Sequence, residues 1–263
     1  MNAINNILVA VPASPRYQPI VQYAIGMAHD LHATLTIALT YCRGPAASKG
    51  TDETAHQKAY VRTSFQQLRE RLLRDTSVNY RSVSLDGPID QAILAAGPTY
   101  HPDLVITAAD EQLPLQDIVR RIPYHLLLVP LTATYCPVKR VGLAYDTAPL
   151  SEPEPINFVD QFAQSYGADV EVVEFGTAKG LTSRETNQNN VALTSLLADV
   201  THRFHFTLGE GTADEMRHYV DHYHPHVLVV LARRQLPYGV SPLERHTVAV
   251  AQVSSVPLLV LRS

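Results

Sequence analysis

The sequence predicts an α/β fold built twice in one chain, each copy a five-stranded, mostly parallel sheet with helices on both faces. Three observations carry this. Short apolar runs without polar alternation take turns with stretches of helical periodicity, as expected where parallel strands are covered on both sides. A helix-turn-strand signal occurs twice, as Tyr100-His101-Pro102-Asp103-Leu104-Val105-Ile106 and as Tyr223-His224-Pro225-His226-Val227-Leu228-Val229. Tyr223 follows Tyr100 by 123 residues in a chain of 263. Finally, the order of elements is the same on either side of a polar, Pro-containing stretch from Thr132 to Lys139.

The first half opens with the apolar run Ile7–Val11, a buried strand, broken by Pro12-Ala13-Ser14-Pro15. A helix follows from about Pro19, with Ile20, Tyr23, Ala24, Met27, Ala28 and Leu31 on one stripe at three-and-four spacing. Thr34–Leu39 is a second strand. Arg43 to Thr54 is small and polar, hence a loop. His56 to Arg74 is an amphipathic helix with Val61, Phe65, Leu68 and Leu72 as its apolar face. Val78 to Leu85 is a third strand. Asp86-Gly87-Pro88 turns into a short helix carrying Ile89, Ala92, Ile93 and Ala96. Pro102 stops that helix, because a proline keeps the residue before it out of helical geometry. Leu104–Thr107 and Leu126–Val129 are the fourth and fifth strands.

In the second half, Val141–Tyr145 is a strand, and a helix from about Pro155 carries Ile156, Val159, Phe162, Ala163 and Tyr166. Gly167 suits its C-terminal end. Val170–Glu174 is the next strand. A loop from Gly176 to Asn190 leads to a helix with Val191, Leu196, Leu197 and Val200. Phe204, Phe206 and Leu208 alternate on a third strand. A helix from Thr212 to His222 has Ala213, Met216 and Tyr219 as inner residues. Val227–Leu231 and Pro257–Leu261 close the pattern. Domains over residues 1–133 and 138–263 are expected. Crossovers between parallel strands of this kind are right-handed.

Composition narrows the function classes. Apolar content of 46% and charged content of 17% are globular values. A net charge of −4 gives no electrostatic reason to expect nucleic acid or an anionic membrane as partner. No apolar run reaches the ~20 residues that span a bilayer. Met1–Asn6 lacks a charged region followed by an apolar one, so no signal peptide is expected, and the expected location is the cytoplasm. Two cysteines, Cys42 and Cys136, make no disulfide framework and read as reduced structural thiols.

With these elements in place, the chain resembles a tandem universal stress protein over nearly all its length. The resemblance rests on Ile7–Val11 followed by Pro12-Ala13-Ser14, and on Val141–Tyr145 followed by Asp146-Thr147. It also rests on Tyr23-Ala24-Ile25 to Leu31-His32-Ala33-Thr34-Leu35-Thr36, on Gly87-Pro88-Ile89-Asp90, on Gly211-Thr212-Ala213-Asp214, and on the closing Val256–Val260. It implies an adenine nucleotide alpha hydrolase-like arrangement and a stress-response role. It also implies pairing of closing strands, here Leu126–Val129 of one half beside Leu258–Leu261 of the other, and a possible further homodimer.

The departures from the family pattern bear on function. Nucleotide-binding members carry a Gly-x-x-Gly pair after the fourth strand, then a nine-residue spacer and Gly followed by Ser or Thr. Glycines let backbone N–H groups approach phosphate oxygens, and a helix N-terminus adds favourable partial charge. The first half has Thr107-Ala108-Ala109-Asp110-Glu111-Gln112 there, with no Gly and two carboxylates that would repel phosphate. From Asp103 to His125 is 22 residues, whereas His226 to Pro257 spans 31, a loop shorter by about nine. Pro12 stands where the family has a strand-end Asp. The first half is expected not to bind nucleotide.

The second half keeps Asp146 at the family's strand-end position, with Thr147 after it. But Leu231-Ala232-Arg233-Arg234-Gln235 replaces the glycine pair, Glu244-Arg245 falls where Gly-Ser belongs, and Gly239 and Ser241 are out of spacing. Arg233 and Arg234 either attract an anion or sit in a solvated loop. Asp146 either faces a nucleotide or caps its own turn. These four, Asp146, Thr147, Arg233 and Arg234, are the candidate nucleotide-binding residues, with ATP or AMP as the candidate ligand.

Six of the twelve histidines fall between residues 202 and 226: His202, His205, His218, His222, His224 and His226. His218 and His222 share a helix face at i, i+4, a spacing that zinc accepts. No carboxylate or Cys stands at a diagnostic spacing, so a surface or helix-end cluster is the simpler reading and no metal is assigned. No Gly-x-Ser-x-Gly, His-Glu-x-x-His or Cys-x-x-Cys occurs. The leading expectation is therefore a non-catalytic protein with degenerate nucleotide sites, acting through protein interaction or a small ligand. The alternatives are an adenine-nucleotide binder using the second half alone, and an enzyme on the same fold.

Overall fold

The computed structural model describes residues 4–41, 51–74, 76–146, 153–176, 184–232 and 242–262. They fall into two compact units. The first unit is Ile4–Ile122 with Leu131–Tyr135, and the second takes Pro123–Pro130 with Cys136–Ser263.

The first unit runs β1 (Asn6–Pro12), α1 (Gln18–Asp30), β2 (Thr34–Tyr41), α2 (Thr51–Leu68), β3 (Tyr80–Asp86), α3 (Ile89–Tyr100), β4 (Leu104–Ala108) and α4 (Leu115–Arg121). Its strands lie in the order β3-β2-β1-β4. Every pair is parallel, with Val9 opposite Ile37 on one side and Ile106 on the other. β1 and β4 are covered on both faces, because their residues Ile7–Val11 and Leu104–Ala108 are apolar but for Thr107, and all of them are buried. Each buried Val, Leu or Ile there contributes about 1.5–3 kcal/mol against exposure. β3 is the outer strand, and its Arg81, Ser82 and Ser84 are exposed.

The second unit runs β5 (His125–Val129), β6 (Arg140–Asp146), α5 (Glu154–Tyr166), β7 (Asp169–Gly176), α6 (Arg184–Leu196), β8 (His202–Leu208), α7 (Ala213–Tyr223), β9 (Val227–Ala232), α8 (Pro242–Val253) and β10 (Leu258–Arg262). The order is β5-β10-β9-β6-β7-β8. All its pairs are parallel except β5 with β10. The expected neighbours are present there: Leu126, Leu127 and Leu128 lie antiparallel to Val260, Leu259 and Leu258. Each half of the sequence supplies five strands, but the fifth of the first half belongs to the second unit. There it covers the edge that β10 would otherwise expose.

The two Tyr-His-Pro signals end α3 and α7 in the same way. His101 (φ 43°) and His224 (φ 49°) both adopt the left-handed conformation at the helix C-cap. Gly167 ends α5 likewise, at φ 61°. Left-handed C-caps satisfy the last carbonyls, and the N–H of His101 and of His224 reach back to Gly97 and Val220.

Two helix faces differ from expectation. α2 gives way to a π-turn at Arg69–Leu73. The extra residue per turn rotates the chain by one position, so Leu73 is buried instead of Leu72, while Phe65 and Leu72 are half-buried. On α6 the inner stripe is Thr186, Asn189 and Leu193, continued by Leu197 just past its end, and Val191 points outward. Two polar residues in that stripe hide its period from a hydrophobicity reading. Among the described residues no helix is long and apolar enough to cross a membrane.

Candidate functional site

In open parallel α/β sheets, ligands bind outside the carboxyl ends of the strands, where the strand order reverses direction. In the first unit that point lies between β1 and β4. β1 ends at Pro12, after which Ser14 caps a short 3₁₀ turn, Pro15–Tyr17, its hydroxyl accepting from the Arg16 N–H at 3.4 Å. β4 ends at Ala108, and Asp110 begins a turn closed by the Leu113 N–H donating to the Asp110 carbonyl.

These two tips are bound to each other. Arg16 Nε donates to Asp110 Oδ2 at 2.8 Å and its Nη2 to Oδ1 at 3.1 Å, a bidentate pair. The Tyr17 hydroxyl donates to Oδ2 at 3.0 Å and the Gln112 N–H to Oδ1 at 3.2 Å. The Asp110 side chain is 2% exposed and that of Arg16 45%. The Arg16 guanidinium, aided by the Gln112 N–H and the Tyr17 hydroxyl, holds the Asp110 carboxyl below the usual carboxylate range, against the upward push of burial. Burial first, then the bond to Asp110, pushes the Tyr17 phenol up. Asp110 is thus a neutralised charge filling the crevice, whereas Glu111 is exposed.

A small cavity adjoins Tyr17 on the side of β2 and α2. The cavity bounded by Val11, Ser14, Tyr17, Leu39 and Leu68 holds about 10 Å³, room for one water. Small-molecule sites occupy roughly 300–1,000 Å³. The connection from β4 to β5 carries only the 7-residue α4, whereas that from β9 to β10 carries the 12-residue α8.

The corresponding point in the second unit lies between β6 and β9. Asp146 is the last residue of β6, with its backbone opposite Phe175, and Ala232 is the last of β9. Thr147, Arg233 and Arg234 lie outside the described residues, as do Gly239, Ser241 and Cys42. Glu244 and Arg245 fall in the first turn of α8.

The histidines between residues 202 and 226 do not converge. His218 and His222 stack with ring centroids 6.3 Å apart on the exposed face of α7. His224 is the exposed left-handed cap, and His226 turns inward, its basicity lowered by burial and then by Arg140 and Lys139. Among the described residues no three His, Cys, Asp or Glu side chains are gathered to hold a metal.

One polar cluster went unread in the sequence. Glu171, in the middle of β7, is 8% exposed. Tyr219 of α7 donates its hydroxyl to Glu171 Oε2 at 3.0 Å, His205 Nε2 meets Oε1, and Arg203 Nε lies 3.5 Å from Oε1. Burial, then the Glu171 charge, pushes the Tyr219 phenol far up. Gly142 permits this approach, since a Cβ there would stand 2.8 Å from the Tyr219 ring. The cluster ties β7 and β8 to α7. Its signal was present: a Glu inside Val170-Glu171-Val172-Val173 must be partnered if that strand is buried on both faces.

No family model matches this chain, and no curated protein matches it. Solved structures do. A universal stress protein from Archaeoglobus fulgidus superposes with a TM-score of 0.72 at 8% identity, covering 98% of this chain and 96% of that one. A putative universal stress protein from Pseudomonas aeruginosa gives a TM-score of 0.66 at 15% identity, covering 99% and 94%. A functionally unknown protein from the same organism gives 0.64 at 15%, covering 99% and 93%. At such identities the likeness shows the fold: the chain is folded like universal stress proteins along its whole length.

Proposed function

We propose that this chain is a non-catalytic stress-response protein of the universal stress family with degenerate nucleotide sites. It comprises a domain over residues 1–133 and a second over 138–263, works in the cytoplasm, and acts through a protein partner or a small ligand, with a homodimer as its further assembly. The observation that carries this reading is the Arg16–Asp110–Tyr17 linkage. A nucleotide phosphate entering between β1 and β4 would have to displace a buried, four-fold hydrogen-bonded carboxylate. It would gain no glycine-lined cradle in return, since none occurs from Thr107 to Gln112.

A second reading is an ATP or AMP site in the second domain alone, formed by Asp146, Thr147, Arg233 and Arg234. It is favoured by the place of Asp146 at the end of β6 beside β9. Calorimetric titration with ATP and AMP separates the two. The leading reading expects no heat at millimolar ligand. Micromolar binding that Asp146→Ala abolishes would replace it with the second.

A further inference from the structure

A cleft of about 370 Å³ opens between the outer strand β3 and the helix α2 with its π-turn. Its walls are Arg62, Phe65, Gln66, Arg69 and Leu73 on the helical side and Tyr80 and Ser82 on the strand. Tyr80 begins β3, so the cleft sits toward the amino end of the sheet, opposite the strand tips already described. It shares no residue with either candidate nucleotide site.

We propose that this cleft is a binding site for a small organic ligand that carries an acidic group at each end. The sequence sets up the geometry. Arg62, Phe65, Gln66 and Arg69 follow the i, i+3, i+4, i+7 pattern and so form one stripe. At a rise of 1.5 Å per residue, the two arginine backbones stand roughly 10 Å apart along the axis. Phe65, half-buried, and Tyr80, half-buried on the facing strand, supply an apolar middle between the two cations.

Charge points the same way. Among the described residues no carboxylate lines the cleft, and neither Arg62 nor Arg69 pairs with one. The nearby acid, Glu70, is exposed and accepts from Gln66 Nε2 at 3.0 Å. In a chain of net charge −4, two unpaired guanidinium groups facing one cleft are a local excess of the opposite sign. Guanidinium groups take carboxylates or phosphates two bonds at a time, which an ammonium does not. The Ser82 hydroxyl adds a further donor. The π-turn begins at Arg69 itself, and its extra residue carries Leu73 to the floor of the cleft. The volume falls within the range of small-molecule sites.

The test uses the full chain and terephthalate as the two-ended probe, followed by nuclear magnetic resonance of labelled protein. Benzoate, with one carboxylate, is the comparison. Terephthalate is expected to shift the signals of Phe65, Arg69, Tyr80 and Ser82 saturably, and to bind at least tenfold more tightly than benzoate. Arg62→Gln and Arg69→Gln should each weaken it about tenfold and the double variant should abolish it. Both arginines are exposed helix residues, and unchanged circular dichroism of the variants checks that they fold. The proposal is overturned if millimolar terephthalate shifts nothing in the cleft, if benzoate binds equally well, or if the double variant keeps the affinity.

Discussion

Asp110→Ala tests the linkage at the first unit's strand tips. The substitution removes an acceptor of four hydrogen bonds from a side chain that is 2% exposed. Two effects set the magnitude. Charge-assisted bonds to a buried carboxylate are worth about 1.5–3 kcal/mol net. The Tyr17 hydroxyl, on a residue 4% exposed, is left without its acceptor, which costs about 1–3 kcal/mol. Arg16 is half-exposed and returns to water, so it adds nothing. Because the two effects overlap, the expected loss is about 2–4 kcal/mol at pH 7. Urea unfolding followed by circular dichroism measures it. Asp110→Asn, which retains an acceptor for Tyr17, should fall between the wild type and Asp110→Ala.

The pH dependence supplies an independent check. The folded-state carboxyl titrates below its unfolded value, so its contribution is complete above about pH 4 and is lost as pH falls through the lower, folded value. The gap between wild type and Asp110→Ala should therefore be constant from pH 7 to 5 and shrink in stronger acid. A loss under about 0.5 kcal/mol at pH 7, or a gap that does not change with acid, would refute the account.

Other outcomes follow from the same reasoning. Thr107→Val should raise stability by about 1 kcal/mol in urea unfolding, because the buried Thr107 hydroxyl has no hydrogen-bond partner and valine keeps its shape. Tyr219→Phe should lower stability by about 1–3 kcal/mol through loss of the bond to Glu171. Since the folded Tyr219 phenol is raised, its contribution is whole below about pH 10 and lost as pH climbs toward the folded value, so alkaline destabilisation should be shallower in Tyr219→Phe. His224→Val should cost about 1–2 kcal/mol in thermal unfolding, as a β-branched residue is forced into the left-handed cap, whereas His224→Gly should cost nothing.

Much of the fold was legible because parallel strands write themselves as local apolar runs. Ile7–Val11, Leu104–Ile106 and Val227–Leu231 need no partner to be recognised, and the Tyr-His-Pro signals mark helix ends by local backbone chemistry. The site was less legible, because its contacts are not local. Arg16 and Asp110 are 94 residues apart, and nothing near either announces the other. The run Asp110-Glu111 reads in the sequence as two charges that repel phosphate. One of them is neutralised in a buried pair. The π-turn in Arg69–Leu73 escaped because a single extra residue leaves no compositional trace. The apolar run Val141–Tyr145 marks Asp146 as a strand end, and β6 spans Arg140–Asp146.

The placement of β5 bears on how the chain is made. A strand encoded before residue 130 pairs with β10, which is encoded far later in the chain. Leu126–Val129 must therefore wait, apolar and unpaired on that side, until Leu258–Arg262 has left the ribosome. For that interval the nascent chain carries an exposed apolar strand that invites chaperone capture. A gene split near residue 133 would make the wait permanent for one product and leave β10 bare-edged in the other.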